Sequence, residues 1–159
     1  MLCLLMPVSA LADHDIKFRV VLDAGHGGHD PGTVGRNVKE KDIALALALR
    51  VGDYISQNMP DVEVIYTRKT DEFIELHKRA QIANEKHADL FISIHCNGVR
   101  SNKPMGTETW VMGLHKSEAN LEVAKAENAV ILLEEDYPAQ YDGFNPNTDE
   151  AYIIFSFFQ

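Results

Sequence analysis

The sequence has little cysteine, no long apolar run and no excess of positive charge. Its two cysteines are Cys3 and Cys96. Cys3 lies in the segment 1–12, which is interpreted below as a cleaved signal peptide. Its removal would leave Cys96 alone, and a lone cysteine forms no disulfide within the chain. The residues 1–12, MLCLLMPVSALA, are too few to span a bilayer, so we expect no membrane span in this chain.

The charge is acidic, with 15 Lys and Arg against 24 Asp and Glu and a net charge of −9. This balance argues against nucleic acid or an anionic membrane as a partner. The chain also lacks internal repeats and low-complexity tracts. A length of 159 residues fits one domain, which can bury roughly two-thirds of its unfolded surface.

The apolar segment 1–12 ends in Ala10-Leu11-Ala12, an A-x-A-like cleavage site followed by polar residues. It predicts a signal peptide that lacks its basic region, with a mature domain over 13–159 that is exported to the periplasm or the cell exterior. A disordered N-terminus or a buried strand is the alternative for this segment.

Apolar segments that favour strands alternate with segments that favour helices along the chain. Strands are predicted at 17–23, 62–67 and 89–95, with a candidate at 106–112; helices are predicted at 40–58, from Leu76 to about His87, and at 117–134. Residues 43–51 alternate like a strand, but the length of the segment and its Ala and Leu content favour a helix. The prediction is an α/β fold: a single domain with a mostly parallel twisted sheet and helices on both faces.

The stretch LDAGHGGHDPG (22–32) follows the first strand and is rich in glycine. A dinucleotide-binding loop would need glycine where Asp30 stands, and a P-loop would need lysine where Thr33 stands. Both phosphate motifs therefore fail. An ordinary turn remains possible, since Asp-Pro-Gly is good turn chemistry.

A metal site is the other interpretation of this stretch. His26 follows the first strand, Glu40 opens the first helix and His95 ends a buried strand, and groups at the C-terminal ends of parallel strands gather along one edge of the sheet. Two imidazoles and one carboxylate are a typical set for catalytic zinc. His29 is the rival ligand on the same loop, whereas Cys96 points to the opposite face from His95.

Four further histidines have no convergent context and are interpreted as surface or packing residues: His14, His77, His87 and His115. The acidic stretch 133–150 fails the EF-hand spacing and is predicted to be a surface loop. The apolar end, AYIIFSFFQ, begins another helix or strand, so we expect the chain to stop inside its fold.

Three segments in order, DAGHGGHDPG, KEKDIALALALR and TRKTDEFIELHKRAQIANEKHADLFISIHCN, resemble the zinc-dependent N-acetylmuramoyl-L-alanine amidases of bacterial cell walls. The resemblance extends from about Phe18 to about Val111. It implies one zinc ion per chain, bound by His26, Glu40 and His95, with His29 at a variable position.

The resemblance also implies roles for residues around the ligands. Asn97 is expected to orient substrate or a neighbouring group. Asp23 is either a hydrogen-bonding partner of a ligand histidine or a strand-end residue, with equal weight. Arg79 and Asn84 are expected to hold a helix against the sheet.

The family reaction is hydrolysis of the amide between N-acetylmuramic acid and L-alanine, so peptidoglycan and muropeptides are the expected partners. The resemblance places a proton-accepting glutamate on a strand near the C-terminus, and no stretch of this chain has its sequence context. We therefore expect that glutamate beyond Gln159 and a catalytic domain without its C-terminal part. Glu108 and Glu135 lack the motif.

Two alternatives remain open: a different zinc peptidase or deacetylase, and a non-catalytic module that binds peptidoglycan or a protein partner. The sequence identifies no protein activator.

Overall fold

The computed structural model describes residues 17–97, 105–109, 118–146 and 148. In this part of the chain β1 (Phe18–Ala24), β2 (Val62–Tyr66) and β3 (Leu90–Ile94) form one parallel sheet in the order β2–β1–β3. The three strands lie within the predicted segments or extend one residue past them.

Strand β1 is the central strand because its sequence is almost continuously apolar. Val21, Leu22 and Ala24 are fully buried, and Val20 pairs with β2 on one side and β3 on the other. A strand flanked on both edges and covered on both faces requires apolar side chains in both directions.

Helix α1 spans Glu40–Asn58, as predicted. Its buried small residues recur every fourth position, at Ala44, Ala48 and Gly52, whereas Leu47 between them is exposed. The alternation of Ala and Leu therefore places the small residues against the sheet and leaves larger ones outside. Helical spacing, and not the period of a strand, governs this segment.

Helix α2 (Leu76–Glu85) lies on the face of the sheet opposite to α1. Gly52 of α1 contacts Tyr66, whose register partner on β1 is Leu22. Arg79 of α2 binds Asp23, which follows Leu22 and so points to the other face. Helices cover both faces, as the sequence predicts.

The C-terminal part differs in detail from the predicted helix at 117–134 and loop at 133–150. Helix α3 covers Glu118–Asn128, a 3-10 helix covers Ala129–Leu133, and α4 covers Tyr137–Gln140. The predicted helix is thus divided at Ala129, where the 3-10 helix begins. The prediction of a continuous loop was wrong for α4, which tolerates Pro138 in its first turn because no N–H is needed there.

The candidate strand at 106–112 is not found in its described part, because residues 105–109 form no strand. Residues 110–112, Ser117, the apolar end 151–159, and the segment 1–12 with its cleavage site lie outside the described residues. None of the helices in the described ranges combines the length and the apolar character that a membrane span requires.

Candidate metal centre

Three elements bring His26, Glu40 and His95 to one edge of the sheet. His26 lies in the loop after β1, Glu40 is the first residue of α1, and His95 directly follows β3. The C-terminal ends of parallel strands share one edge, so residues far apart in the sequence meet there.

The three side chains form a nearly equilateral triangle of donor atoms. Nε2 of His26, Oε1 of Glu40 and Nδ1 of His95 are each 3.2 Å from the other two. Four ligands around zinc at its usual bond lengths would lie about 3.3 Å apart. The triangle therefore fits one face of a tetrahedral zinc site.

Glu127 of α3 provides a fourth donor that the sequence reasoning missed. Its Oε2 lies 2.7 Å from Nδ1 of His95 and 3.4 Å from Nε2 of His26. One ligand atom from each of the four residues lies within 4.8 Å of the others. No local pattern singles out Glu127 among the charged residues of its helix.

Glu40 is held in place by two backbone donors. The N–H of Cys96 donates to Oε1 at 2.7 Å, and the N–H of Thr33 donates to Oε2 at 2.8 Å. Cys96 thus contributes its backbone to this site. The carboxylate is 2% exposed, so its orientation depends on these contacts.

Asp30 orients His26. Its Oδ2 lies 2.7 Å from Nδ1 of the imidazole, and both side chains are buried. Its other oxygen accepts the N–H of Gly32 at 3.0 Å. A carboxylate on one ring nitrogen directs the other toward a metal, the usual arrangement for ligand histidines. In the sequence, Asp30 is explained by the Asp-Pro-Gly turn alone. Its position four residues after His26 was the signal that could have indicated its contact with the imidazole.

Two buried arginines hold the backbone of the His26 loop. Arg79 donates to the carbonyls of Ala24 and His26 at 2.8 and 2.9 Å, and Arg68 donates to those of Ala24 and Gly25 at 2.9 and 2.7 Å. His26 itself has a φ of +58°, a conformation that costs a non-glycine residue energy. The guanidinium contacts stabilise this conformation.

Asp23 lies beneath this loop as the partner of Arg79. Its carboxylate accepts hydrogen bonds from Arg79 at 2.8 Å, from the hydroxyl of Thr67 at 2.7 Å and from that of Ser93 at 2.6 Å. None of these three partners is a histidine. Arg79 in turn donates to the carbonyl of His26, and which of its two predicted roles Asp23 has stays a prediction.

The remaining predicted residues lie away from the four donors. His29 is exposed, with its ring 4.1 Å from that of Phe73. Asn97 is exposed and its amide donates to Glu108 at 3.3 Å, so its role toward substrate stays a prediction. Asn84 is exposed as well, whereas Arg79 binds the strand end as expected. His77 contacts Glu134, and His14 and His115 lie outside the described residues.

Gly32 allows the loop to close around the donors. A Cβ built on it would lie 2.5 Å from the His26 ring and 2.8 Å from Oε2 of Glu40. Its φ of +63° is also in the region that favours glycine. Any larger residue here would displace two of the four donors.

The carboxylates shift the ionisation of the cluster. Burial alone would lower the pKa of His26, but hydrogen bonds to Asp30, Glu127 and Glu40 outweigh it and raise the pKa to about 11. Burial would also lower the pKa of His95, but its hydrogen bonds to Glu127 and Glu40 outweigh this effect and raise the pKa to about 9. Burial would raise the pKa of Glu40, yet its contacts with the two histidines hold it far below its usual range. The cluster therefore attracts cations, protons included.

A cavity of about 330 Å³ opens beside three of the four donor residues, His26, His95 and Glu127. Its apolar wall consists of Leu76, Ala80, Phe91 and Val130, and its polar groups beyond the donors include Arg79, Ser93 and Asn128. A partly apolar cleft next to a cation site is typical of a pocket for a small polar substrate with apolar parts.

Comparison with known proteins gives consistent matches. The sequence profile of the N-acetylmuramoyl-L-alanine amidase family Amidase_3 matches residues 20–153. AmiC, the N-acetylmuramoyl-L-alanine amidase of Escherichia coli, is 35% identical over 130 residues, which cover 80% of this chain and 31% of that protein. The germination-specific N-acetylmuramoyl-L-alanine amidase of Bacillus subtilis is 36% identical, covering 67% and 49%.

The fold agrees with a solved structure of the same kind. An N-acetylmuramoyl-L-alanine amidase from Clostridium difficile superposes with a TM-score of 0.57 at 29% identity, over 82% of this chain and 76% of that one. This chain spans less than half of the length of the two curated relatives named above. The family profile covers most of its sequence and its fold is that of the solved amidase: the chain belongs to the N-acetylmuramoyl-L-alanine amidase family.

Proposed function

We propose that this chain is the zinc-binding part of an enzyme that hydrolyses the amide between N-acetylmuramic acid and L-alanine in peptidoglycan. The observation that carries the proposal is the triangle of His26, Glu40 and His95, with donor atoms 3.2 Å apart. Membership of the amidase family and the adjoining cavity support it.

Zinc at this position would lower the pKa of a bound water and polarise the scissile carbonyl. His26, Glu40 and His95 would bind the ion. Asp30 orients His26, and the N–H groups of Thr33 and Cys96 orient Glu40. The chain's own contribution is a prearranged donor set that needs little rearrangement on loading.

Glu127 changes the character of this donor set. A catalytic zinc site keeps one position open for water, whereas a site with four protein ligands is closed. With Oε2 of Glu127 in place the set has four protein donors. Hydrolysis therefore requires the Glu127 side chain to withdraw and leave the three-donor set.

Peptidoglycan lies outside the cytoplasmic membrane, so this function requires export. The apolar segment 1–12 is the part of the chain that would direct it. Mature protein from the native host should begin at Asp13 and occur outside the cytoplasm; an intact N-terminus on cytoplasmic protein would contradict export.

Metal analysis tests the site. Purified protein should contain about one zinc per chain. His95→Ala should lose most of it, because it removes one corner of the triangle, whereas His29→Ala is the matched control and should keep it. Loss of zinc in His29→Ala together with its retention in His95→Ala would overturn the ligand set.

Product analysis tests the reaction. Residues 1–159 contain no stretch with the sequence context of the family's proton-accepting glutamate, and the loss of such a group costs about 10²–10⁴-fold in rate. Purified muropeptides should therefore release stem peptides that begin with a free L-alanine, but only slowly. Cleavage within the stem peptide, or release of acetate, would instead indicate another zinc peptidase or a deacetylase. Since slow cleavage is expected in any case, the non-catalytic module is favoured only if zinc-loaded protein and its Glu127→Gln variant bind peptidoglycan and release no product above the level of a zinc-free control.

A further inference from the structure

Glu134 is a buried carboxylate that the proposed chemistry does not use. It directly follows the 3-10 helix, and its side chain is 2% exposed. Its Oε1 accepts the N–H of Leu76 at 2.7 Å and the hydroxyl of Tyr141 at 3.4 Å. Its Oε2 lies 3.4 Å from Nδ1 of His77. Glu134, Leu76, His77 and Tyr141 are together called the clasp.

The clasp connects the C-terminal helices to α2. Leu76 is the first residue of α2, where the helix dipole and an otherwise unpaired N–H both favour a carboxylate. Tyr141 adds a second contact, because its hydroxyl accepts the N–H of His77 at 3.1 Å. Burial and the nearby charge of Glu134 raise the pKa of Tyr141 to about 12, so the hydroxyl stays protonated.

The same C-terminal segment carries Glu127 into the metal centre. Glu127 lies near the end of α3, and the 3-10 helix that leads to Glu134 follows directly. On the other side of the clasp, α2 is bound through Arg79 to the carbonyl of His26. The C-terminal segment that contains α3 and the 3-10 helix is thus attached at two points: at the clasp to α2, and at the donor cluster to His26 and His95.

We propose that Glu134 is a positioning residue for the metal centre: by binding the N-terminus of α2 it holds the α3 segment so that Oε2 of Glu127 reaches His26 and His95. This inference rests on the proposed metal site. It states that the contact of Glu134 with α2 holds the fourth donor, Glu127, in place, and that release of this contact would free Glu127.

The physical reason is that the buried carboxylate of Glu134 is the acceptor for the N–H of Leu76. Without the carboxylate, the N–H of Leu76 and the hydroxyl of Tyr141 lose their buried acceptor, and such groups are costly to leave unpaired. They regain partners by turning toward water, which separates the segment from α2. Glutamine keeps an oxygen that can accept the N–H of Leu76, so Glu134→Gln should retain much of the contact.

Cobalt in place of zinc provides a spectroscopic test, because the visible spectrum of Co²⁺ depends on its ligands. Glu127→Gln supplies the reference spectrum of a site whose fourth donor is altered. We expect Glu134→Ala to reproduce that spectrum although Glu134 does not touch the site. Glu134→Gln should stay close to the wild type, and so should Glu135→Ala, the exposed neighbouring control.

The double variant Glu127→Gln/Glu134→Ala should show no further spectral change, since both changes act on one donor. A wild-type spectrum in Glu134→Ala, with an altered one in Glu127→Gln, would overturn the inference and leave the proposed metal site intact. No cobalt bound by the wild-type protein would count against the proposed metal site itself.

Hydrogen exchange on the metal-free protein tests the clasp without any metal. Glu134→Ala should speed exchange across 118–133 while β1 keeps its protection, and Tyr141→Phe should do so to a smaller extent. Should Glu134→Ala not fold, the Tyr141→Phe and Glu134→Gln variants still report on the contact. Unchanged exchange in 118–133 for all folded variants would overturn the inference.

Discussion

At the scale of single residues, the candidate metal centre depends on which atom of each side chain is already occupied. Nδ1 of His26 is bound to Asp30, so Nε2 is the nitrogen that faces the cluster. Glu40 uses each oxygen for one backbone N–H and still presents Oε1 to both histidines. Orientation, more than residue type, decides what these side chains can bind.

Replacement of Asp30 by asparagine should weaken metal binding by about 10–100-fold. The amide carries no charge and so supports the orientation of His26 less well. Competition with a coloured chelator measures the affinity. Asp42→Asn, at an exposed position in the first turn of α1, is the matched control and should leave it unchanged. Equal affinities for the Asp30→Asn variant and the wild type would show that Asp30 serves the turn alone.

At the scale of elements, two loops pack backbone against backbone beneath the donors. Gly27 has a φ of +131°, and a Cβ on it would collide with the carbonyl oxygen of Glu72 and lie 3.0 Å from Nε of Arg68. The loop after β2 therefore approaches the His26 loop as closely as it can. This approach lets Arg68 reach the carbonyls of Ala24 and Gly25.

Gly27→Ala should lower the free energy of unfolding by about 1–3 kcal/mol more than Gly106→Ala does. Both glycines have nearly the same φ, +131° and +137°, but a Cβ on Gly106 meets no heavy atom of the described residues within 4 Å. The difference between the variants isolates the collision from the backbone strain. Chemical denaturation of the metal-free proteins measures it, and equal losses would show that the loops can separate at no cost.

At the scale of the whole molecule, the four donors come from four separate parts of the chain. The loop after β1, the start of α1, the end of β3 and α3 each contribute one. A cation bound there would link the sheet, the helix on one face and the C-terminal segment. Metal binding and global stability should therefore be coupled.

Zinc at about 100 times its dissociation constant should stabilise the wild-type protein by about 2.7 kcal/mol, and a chelator should reverse this. A thermal melt with and without zinc measures the shift. His95→Ala should melt at a temperature that zinc barely changes. A shift as large in His95→Ala as in the wild type would show that zinc acts elsewhere on the protein.

Much of the fold follows from local sequence pattern. The continuous apolar character of 18–24 predicts a central strand, and the acidic start and the composition of 40–58 predict a helix with those bounds. His26, Glu40 and His95 could be grouped in advance because each borders a predicted element and parallel strands end at one edge. This rule about the edge of a parallel sheet needs only the order of strands and helices, which the sequence pattern supplies.

The tertiary structure alone decided the rest of the site. Glu127 reaches His95, Asp23 binds Arg79, and Glu134 binds the start of α2 through side chains that no local pattern distinguishes from solvated ones. A charged residue on a helix satisfies the same periodicity whether it faces water or a neighbour. Its role depends on where the helix packs, because a contact between distant residues is set by the three-dimensional arrangement of elements and not by the spacing within one of them.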